Sequence, residues 1–94
     1  MISIALVFDK TETGLAGNPY GKSVYKKQVK DRYTDFSKKL EIVFPDNIEQ
    51  VASSFVQGFF SELVDEIGYE GIEQNVSIKA KDETLADTIL KRLY

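Results

Sequence analysis

The sequence predicts an α/β fold, because three apolar runs of strand type alternate with three amphipathic segments of helical type. The apolar runs are residues 2–8, 40–44 and 76–80. The helical segments are residues 18–33, 54–68 and the stretch that follows residue 82. This order favours a small mixed or parallel sheet of three to four strands flanked by three helices. The length of 94 residues suits one domain, expected to span residues 1–94.

The first apolar run predicts a strand that is buried on both faces. It stops at Asp9 and lacks the basic segment of a signal peptide, so we expect a cytoplasmic protein. The following residues, 9–20, are rich in Thr, Gly, Asn and Pro. Such residues favour a loop, with a short strand near Leu15.

The first helix is expected to be capped by Asn18, with Pro19 in its first turn. Apolar residues recur at helical spacing on one side of this segment. Basic residues occupy much of the rest, at Lys22, Lys26, Lys27, Lys30 and Arg32. The pattern predicts an amphipathic helix with a basic face, which is usually a solvated surface and otherwise suits an acidic partner.

The second strand, residues 40–44, ends at Pro45 and leads to the most strongly patterned helix. Phe, Val, Leu and Ile recur at helical spacing over residues 55–67. Residues 54–57 match a capping box. In this motif the Ser54 hydroxyl accepts the backbone N–H of Gln57, and the Gln57 side chain accepts the backbone N–H of Ser54. Gly68 stands where a helix ends with positive φ.

The third strand is predicted over residues 76–80 by alternating apolar and polar residues. Asp82 is expected to cap the last helix, and Lys91 and Arg92 suit the negative carboxyl end of that helix.

Composition excludes several classes of function. The chain has no cysteine and no histidine, so it has no thiolate nucleophile, no Cys/His zinc site and no Ser-His-Asp triad. The net charge of −3 disfavours general binding to nucleic acid, and no apolar stretch approaches transmembrane length. We therefore expect a protein that is not an enzyme, needs no cofactor or metal, and has no membrane or nucleic-acid partner.

One segment, residues 16–23, approximates a phosphate-binding P-loop. Ala16 replaces the first glycine, Pro19 stands where consecutive amides should face phosphate, and polar residues separate the loop from the first strand. A plain turn is the favoured interpretation of this segment. Nucleotide binding through it is kept as a third hypothesis on function, after the two that are stated below. The weaker prediction is an anion- or partner-binding loop made of Gly17, Tyr20, Gly21, Lys22 and Ser23.

Ser53 and Ser54 precede the strongly apolar helix and have two interpretations. The first is helix capping, which contributes about 1 kcal/mol. The second is phosphorylation, which adds roughly two negative charges beside a helix start and disturbs the surface offered to a partner. Capping is favoured on the residues alone.

Residues 40–44, together with the run from Val51 to Leu63, resemble the STAS-like bacterial domains of unknown function. The mark of that family is a hydrophobic strand, a short connection, and a Ser-Ser-Phe start to a phenylalanine-rich helix ending in Glu-Leu. Tyr20-Gly21-Lys22, which is followed by a helix, is also similar to that family. The resemblance implies a non-catalytic regulatory module, with a histidine-kinase-type ATPase as a candidate partner.

The better-known STAS domains are anti-sigma-factor antagonists, switched by phosphorylation of a serine at a helix start. By the resemblance, the second serine of their Asp-Ser-Ser-Gly motif corresponds to Ser54. This chain departs from the motif, since Ala52 replaces the Asp and Phe55 replaces the Gly.

Our first hypothesis is a protein-interaction domain whose binding edge includes Ser53, Ser54 and Phe55. The alternative is a phage- or mobile-element-encoded inhibitor of a host defence complex, which the small size and acidic balance allow. Genes neighbouring this one would separate the two hypotheses.

Overall fold

Five strands and three helices make up the chain, and the computed structural model describes all 94 residues. The strands are β1 (Ile2–Ala5), β2 (Gly14–Leu15), β3 (Leu40–Val43), β4 (Gln50–Val51) and β5 (Val76–Lys79). The helices are α1 (Asn18–Gln28), α2 (Ser53–Asn75) and α3 (Glu83–Lys91). None of the helices has both the length and the apolar composition needed to cross a membrane.

The predicted α/β fold is confirmed, and its main sheet is parallel. This sheet has three strands in the order β1-β3-β5, with Ile4 beside Ile42 and Ile42 beside Ile78. A separate two-stranded parallel ribbon joins β2 to β4 through Leu15 and Val51. The short strand near Leu15 was predicted, whereas β4, which is equally short, was not.

Only one face of the main sheet is deeply buried. Ile4, Leu40 and Ile42 on that face have no exposed surface. On the opposite face Ser3 and Ala5 are exposed and Val43 is half-buried. The prediction that the first strand is buried on both faces was therefore wrong, and the strand follows the alternation of a half-covered sheet.

Helices α1 and α2 approach each other closely through two glycines. A Cβ at Gly21 of α1 would overlap with the carbonyl oxygen of Phe55, and one at Gly58 of α2 would overlap with the carbonyl oxygen of Asn18. Both helices follow parallel strands, so their first turns lie at the same end of the sheet. The absence of two side chains lets the backbones meet there.

Helix α2 changes direction at Gly68, where φ is 72° and ψ is 173°. This backbone region is open essentially to glycine alone. The predicted positive φ is confirmed, and so is the predicted end of the first helical stretch at Gly68, because the backbone leaves the helical region there. A second helical stretch follows the kink and reaches Asn75, and its Ile72 is buried in the core.

The predicted helix caps had mixed outcomes. Asp82 caps α3, since its Oδ1 accepts the Leu85 N–H at 2.8 Å. Asn18 lies inside α1, and the residue in the cap position is Gly17, with φ of 100°. Ser54 is also inside its helix, which has Ala52 in the cap position and no side-chain cap bond. The predicted capping box at residues 54–57 was therefore wrong.

Candidate functional site

The two segments singled out in the sequence meet on one surface. The Gly17 backbone N–H donates a hydrogen bond to Ser54 Oγ at 3.0 Å, across 37 positions of chain. Ser53, Ser54 and Tyr20 are exposed around this bond, and Gly17 is half-buried. We call these four residues, Gly17, Tyr20, Ser53 and Ser54, the helix-start surface.

The ribbon explains why the two helix starts are neighbours. Leu15 of β2 and Val51 of β4 are paired, and the Ala52 N–H donates to the Leu15 carbonyl at 2.8 Å. A helix begins within three residues of each strand, so both helices start side by side. The helices also follow the carboxyl ends of β1 and β3 along the chain, and ligands of open α/β sheets bind at that edge.

Tyr20 is held in place from both ends of its side chain. Its ring packs edge-on against Phe55 at 5.5 Å and against Phe8 at 6.4 Å between centroids. Its hydroxyl donates to Glu12 Oε2 at 2.7 Å. Burial and the neighbouring Glu12 raise the pKa of Tyr20 to about 12. The phenol is therefore neutral at physiological pH and remains a hydrogen-bond donor.

The loop before β2 is tied to the loop after β3. Asn47 donates from Nδ2 to the carbonyl oxygens of Glu12 at 2.8 Å and Asp9 at 3.3 Å. The Asp9 carboxylate accepts the N–H and hydroxyl of Thr11, and these bonds lower the pKa of Asp9. The Asp-x-Thr spacing is readable as a turn. The roles of Asn47 and Glu12 had no sequence signal, because their partners are distant in the chain.

Two predicted contact residues lie inside the protein. Phe55 has no exposed surface and packs against Tyr20 and Phe59. Gly21 is buried against the backbone of α2. Neither residue is accessible to a partner in this fold. Both residues instead support the helix-start surface from inside the protein.

The rest of the predicted anion- or partner-binding loop belongs to α1. Lys22 is exposed and Ser23 is half-buried within the helix. Of the amides at the helix start, Gly17 N–H is bonded to Ser54, Gly21 N–H is bonded to the Gly17 carbonyl, and Pro19 has none. This arrangement leaves few N–H groups to surround a phosphate.

An open groove of about 970 Å³ adjoins the helix-start surface. The ribbon forms one wall, with Ala16 and Ala52 directly preceding Gly17 and Ser53. Helix α3 and the residues before it form the other wall. Charged groups of both signs line it, namely Glu49, Lys81, Asp82 and Arg92. The groove lining therefore has no strong preference for one sign of charge.

The basic face was predicted on a helix of residues 18–33, but α1 ends at Gln28, so Lys30 and Arg32 lie beyond the helix. Lys22, Lys26, Lys27, Lys30 and Arg32 are all exposed. Lys30 pairs with Glu62 of α2 at 3.3 Å. No three acidic side chains lie close enough together to hold a metal ion. The chain matches no protein-family model, no curated protein and no solved structure with which it was compared.

Proposed function

We propose that this protein is a non-catalytic regulatory domain of the STAS-like kind, which binds another protein through the helix-start surface and the adjoining groove. The observation that carries the proposal is the hydrogen bond from Gly17 N–H to Ser54 Oγ. It unites two segments that the sequence marked independently. The resemblance suggests a histidine-kinase-type ATPase as the partner to test first, in the cytoplasm.

The rigidity of the helix-start surface supports a binding role. Tyr20 is fixed by two aromatic rings and Glu12, and the loop beneath it is tied down by Asn47. A surface that is ordered before binding loses less conformational entropy in the complex. A half-exposed tyrosine on such a support is also a common energetic anchor of protein interfaces.

Ser54 gives the proposed interface a means of control. Its side chain is exposed, and its hydroxyl oxygen already accepts the Gly17 N–H. A phosphate here would lie beside the first turn of α2, where the helix dipole favours negative charge. The fold tolerates such a group, whereas a partner seated on this surface meets roughly two added charges and three bulky oxygens.

The binding surface can be tested by photocrosslinking in native cells. A photoreactive amino acid replaces Ser53 in one variant and Ser77, an exposed residue of β5, in the control. We expect a specific adduct with one protein from position 53 and none from position 77. Adducts of equal yield and composition at both positions, or none at position 53, would count against the proposal.

A second measurement uses the captured partner in purified form. Tyr20→Ala removes the proposed anchor, and we expect its dissociation constant to rise by about 10-fold or more. Ser54→Asp should weaken binding similarly, while Ser54→Thr, which keeps the hydroxyl, should bind nearly as the parent does. Equal affinity of Ser54→Asp and Ser54→Thr would remove the regulatory part of the proposal.

A further inference from the structure

The outer edge of β1 carries unpaired backbone groups. Ile2 and Leu6 donate their N–H groups to the carbonyls of Lys39 and Val43, so the even-numbered residues of this strand face β3. The N–H and carbonyl groups of Ser3 and Ala5 therefore face outward, because successive residues of a strand alternate in direction. β1 is an edge strand of the sheet.

The edge strand is short, at four residues, but it lacks most of the other features that protect an edge strand. Residues 1–8 contain no charged side chain, no proline and no glycine. The strongly exposed apolar side chains include Met1 at 82% and Val7 at 73%. The β5 side of the same sheet is polar, since Ser77 and Lys79 are exposed there and Lys79 lies 3.9 Å from Glu41. The apolar part of the open face is thus confined to the β1 side.

Two copies of β1 can pair with each other through the outward groups of Ser3 and Ala5. Ser3 and Ala5 lie one position on either side of Ile4, and Met1 and Val7 lie three positions on either side. If a second β1 runs antiparallel about an axis at Ile4, Ser3 of each copy faces Ala5 of the other. Facing residues in such a pair exchange both of their N–H to carbonyl bonds. Met1 of each copy would lie opposite Val7 of the other, where the Gln28 side chain already binds the Val7 backbone, so the pairing ends there.

Gln28 of α1 limits the part of the β1 edge whose backbone groups are unpaired. Its side-chain amide accepts the Val7 N–H at 2.8 Å and donates to the Val7 carbonyl at 2.9 Å. The edge is thus satisfied at Val7 and open at Ser3 and Ala5. Charge is compatible with a second copy as the occupant, because a two-fold axis brings each side chain near its own copy and residues 1–8 have no charged side chains to repel each other.

We infer that a second copy of this chain binds along the β1 edge and joins the two sheets into one of six strands. The contact is small, so association depends on protein concentration. This interface lies on β1 and goes beyond the binding function proposed for the helix starts. The crosslinking result at position 53 does not depend on it.

Sedimentation equilibrium over a wide range of protein concentration tests this inference. Ser3→Lys adds a like charge near the axis, and Ser77→Lys is the matched control. Register places Ser3 and Ser77 on either side of Glu41 on the same open face, so each new lysine has the same carboxylate beside it. We expect Ser3→Lys to raise the dimer dissociation constant by about 10-fold or more and Ser77→Lys to leave it unchanged.

A backbone variant, Ala5→Pro, removes one outward N–H and is tolerated at a strand edge. It should also prevent the dimer, with far-ultraviolet circular dichroism confirming that all variants are folded. A wild-type protein that stays monomeric at its highest attainable concentration would overturn the inference. So would a dimer that Ser3→Lys and Ala5→Pro leave intact, or one that Ser3→Lys and Ser77→Lys weaken equally.

Discussion

A short polar side chain stands at the start of α2 and another at the start of α3, and the two side chains accept N–H groups from different parts of the chain. Asp82 precedes α3 and accepts the Leu85 N–H three residues ahead at 2.8 Å. Ser54 is inside α2 and accepts the N–H of Gly17, which belongs to the start of another helix. One start is stabilised locally, and the other is joined to a separate part of the chain.

The difference comes from the surroundings of each helix. Helix α3 packs against β5 and begins next to an open groove. Its cap therefore bonds to an amide of the same helix. Helix α2 begins against α1, with a glycine of each helix at the contact. A polar side chain at such a junction can bond across it. Capping residues in a sequence therefore indicate a helix start without indicating which amide they bind.

The largest effect is expected from filling the α1–α2 contact. Gly58→Ala places a methyl group against the Asn18 carbonyl group, and the two backbones must separate. We expect a loss of about 2 kcal/mol in the free energy of unfolding, even after the gain of about 1 kcal/mol from helix propensity. Urea unfolding measures it.

The control for this substitution is Gly14→Ala, where the new methyl group would lie 3.9 Å from the Gln50 carbonyl oxygen. That distance is ordinary contact, and the change should stay within about 0.5 kcal/mol. Equal losses from both substitutions would show that the close helix contact is not what α1 and α2 depend on.

Ser54→Ala and Asp82→Ala compare the two helix starts directly. Each removes one hydrogen bond to a backbone amide and should lower the free energy of unfolding by about 1 kcal/mol. Amide exchange measured by NMR separates them. The Gly17 amide should exchange faster only in Ser54→Ala, and the Leu85 amide only in Asp82→Ala. A Gly17 amide unaffected by Ser54→Ala would contradict the bond across the junction.

Alkaline pH should weaken the junction in particular, because it holds two tyrosines of α1. Burial, followed by nearby carboxylates, raises the pKa of Tyr20 and of Tyr25 to about 12. The fold thus favours the neutral phenols. Their contribution is complete below pH 10, near the unfolded value, and declines as the pH rises towards about 12.

Tyrosinate absorbance and urea unfolding, measured from about pH 9 to about pH 12, check this expectation. The double variant Tyr20→Phe with Tyr25→Phe should show a weaker dependence of stability on pH over that interval. An unchanged dependence would assign the alkaline sensitivity to other groups.

We expect this protein not to bind nucleotide. The amides of Gly17 and Gly21 are bonded within the protein, and Lys22 is on an exposed turn of α1. Isothermal titration with ATP and magnesium should give no saturable heat, and Lys22→Ala should behave as the parent does. Saturable binding that Lys22→Ala abolishes would restore the nucleotide hypothesis.

Local patterns were enough to predict the fold class and most of its elements. Three examples are the helical spacing of apolar residues in α2, the alternation in β5 and the cap at Asp82. Each depends on residues that are close together along the chain. The helix-start surface was predicted only as two separate segments. Their union depends on the pairing of β2 with β4, and two-residue strands carry no period to read.

The amino-acid sequence by itself determined the α/β class, the order of the main elements and the positive φ at Gly68. Tertiary structure alone decided which residues of the binding segments are exposed, that Phe55 and Gly21 are internal, and that Ser54 bonds to Gly17. The reason is distance along the chain. Propensity and periodicity arise from neighbouring residues, whereas a bond across 37 positions exists only once the helices have packed.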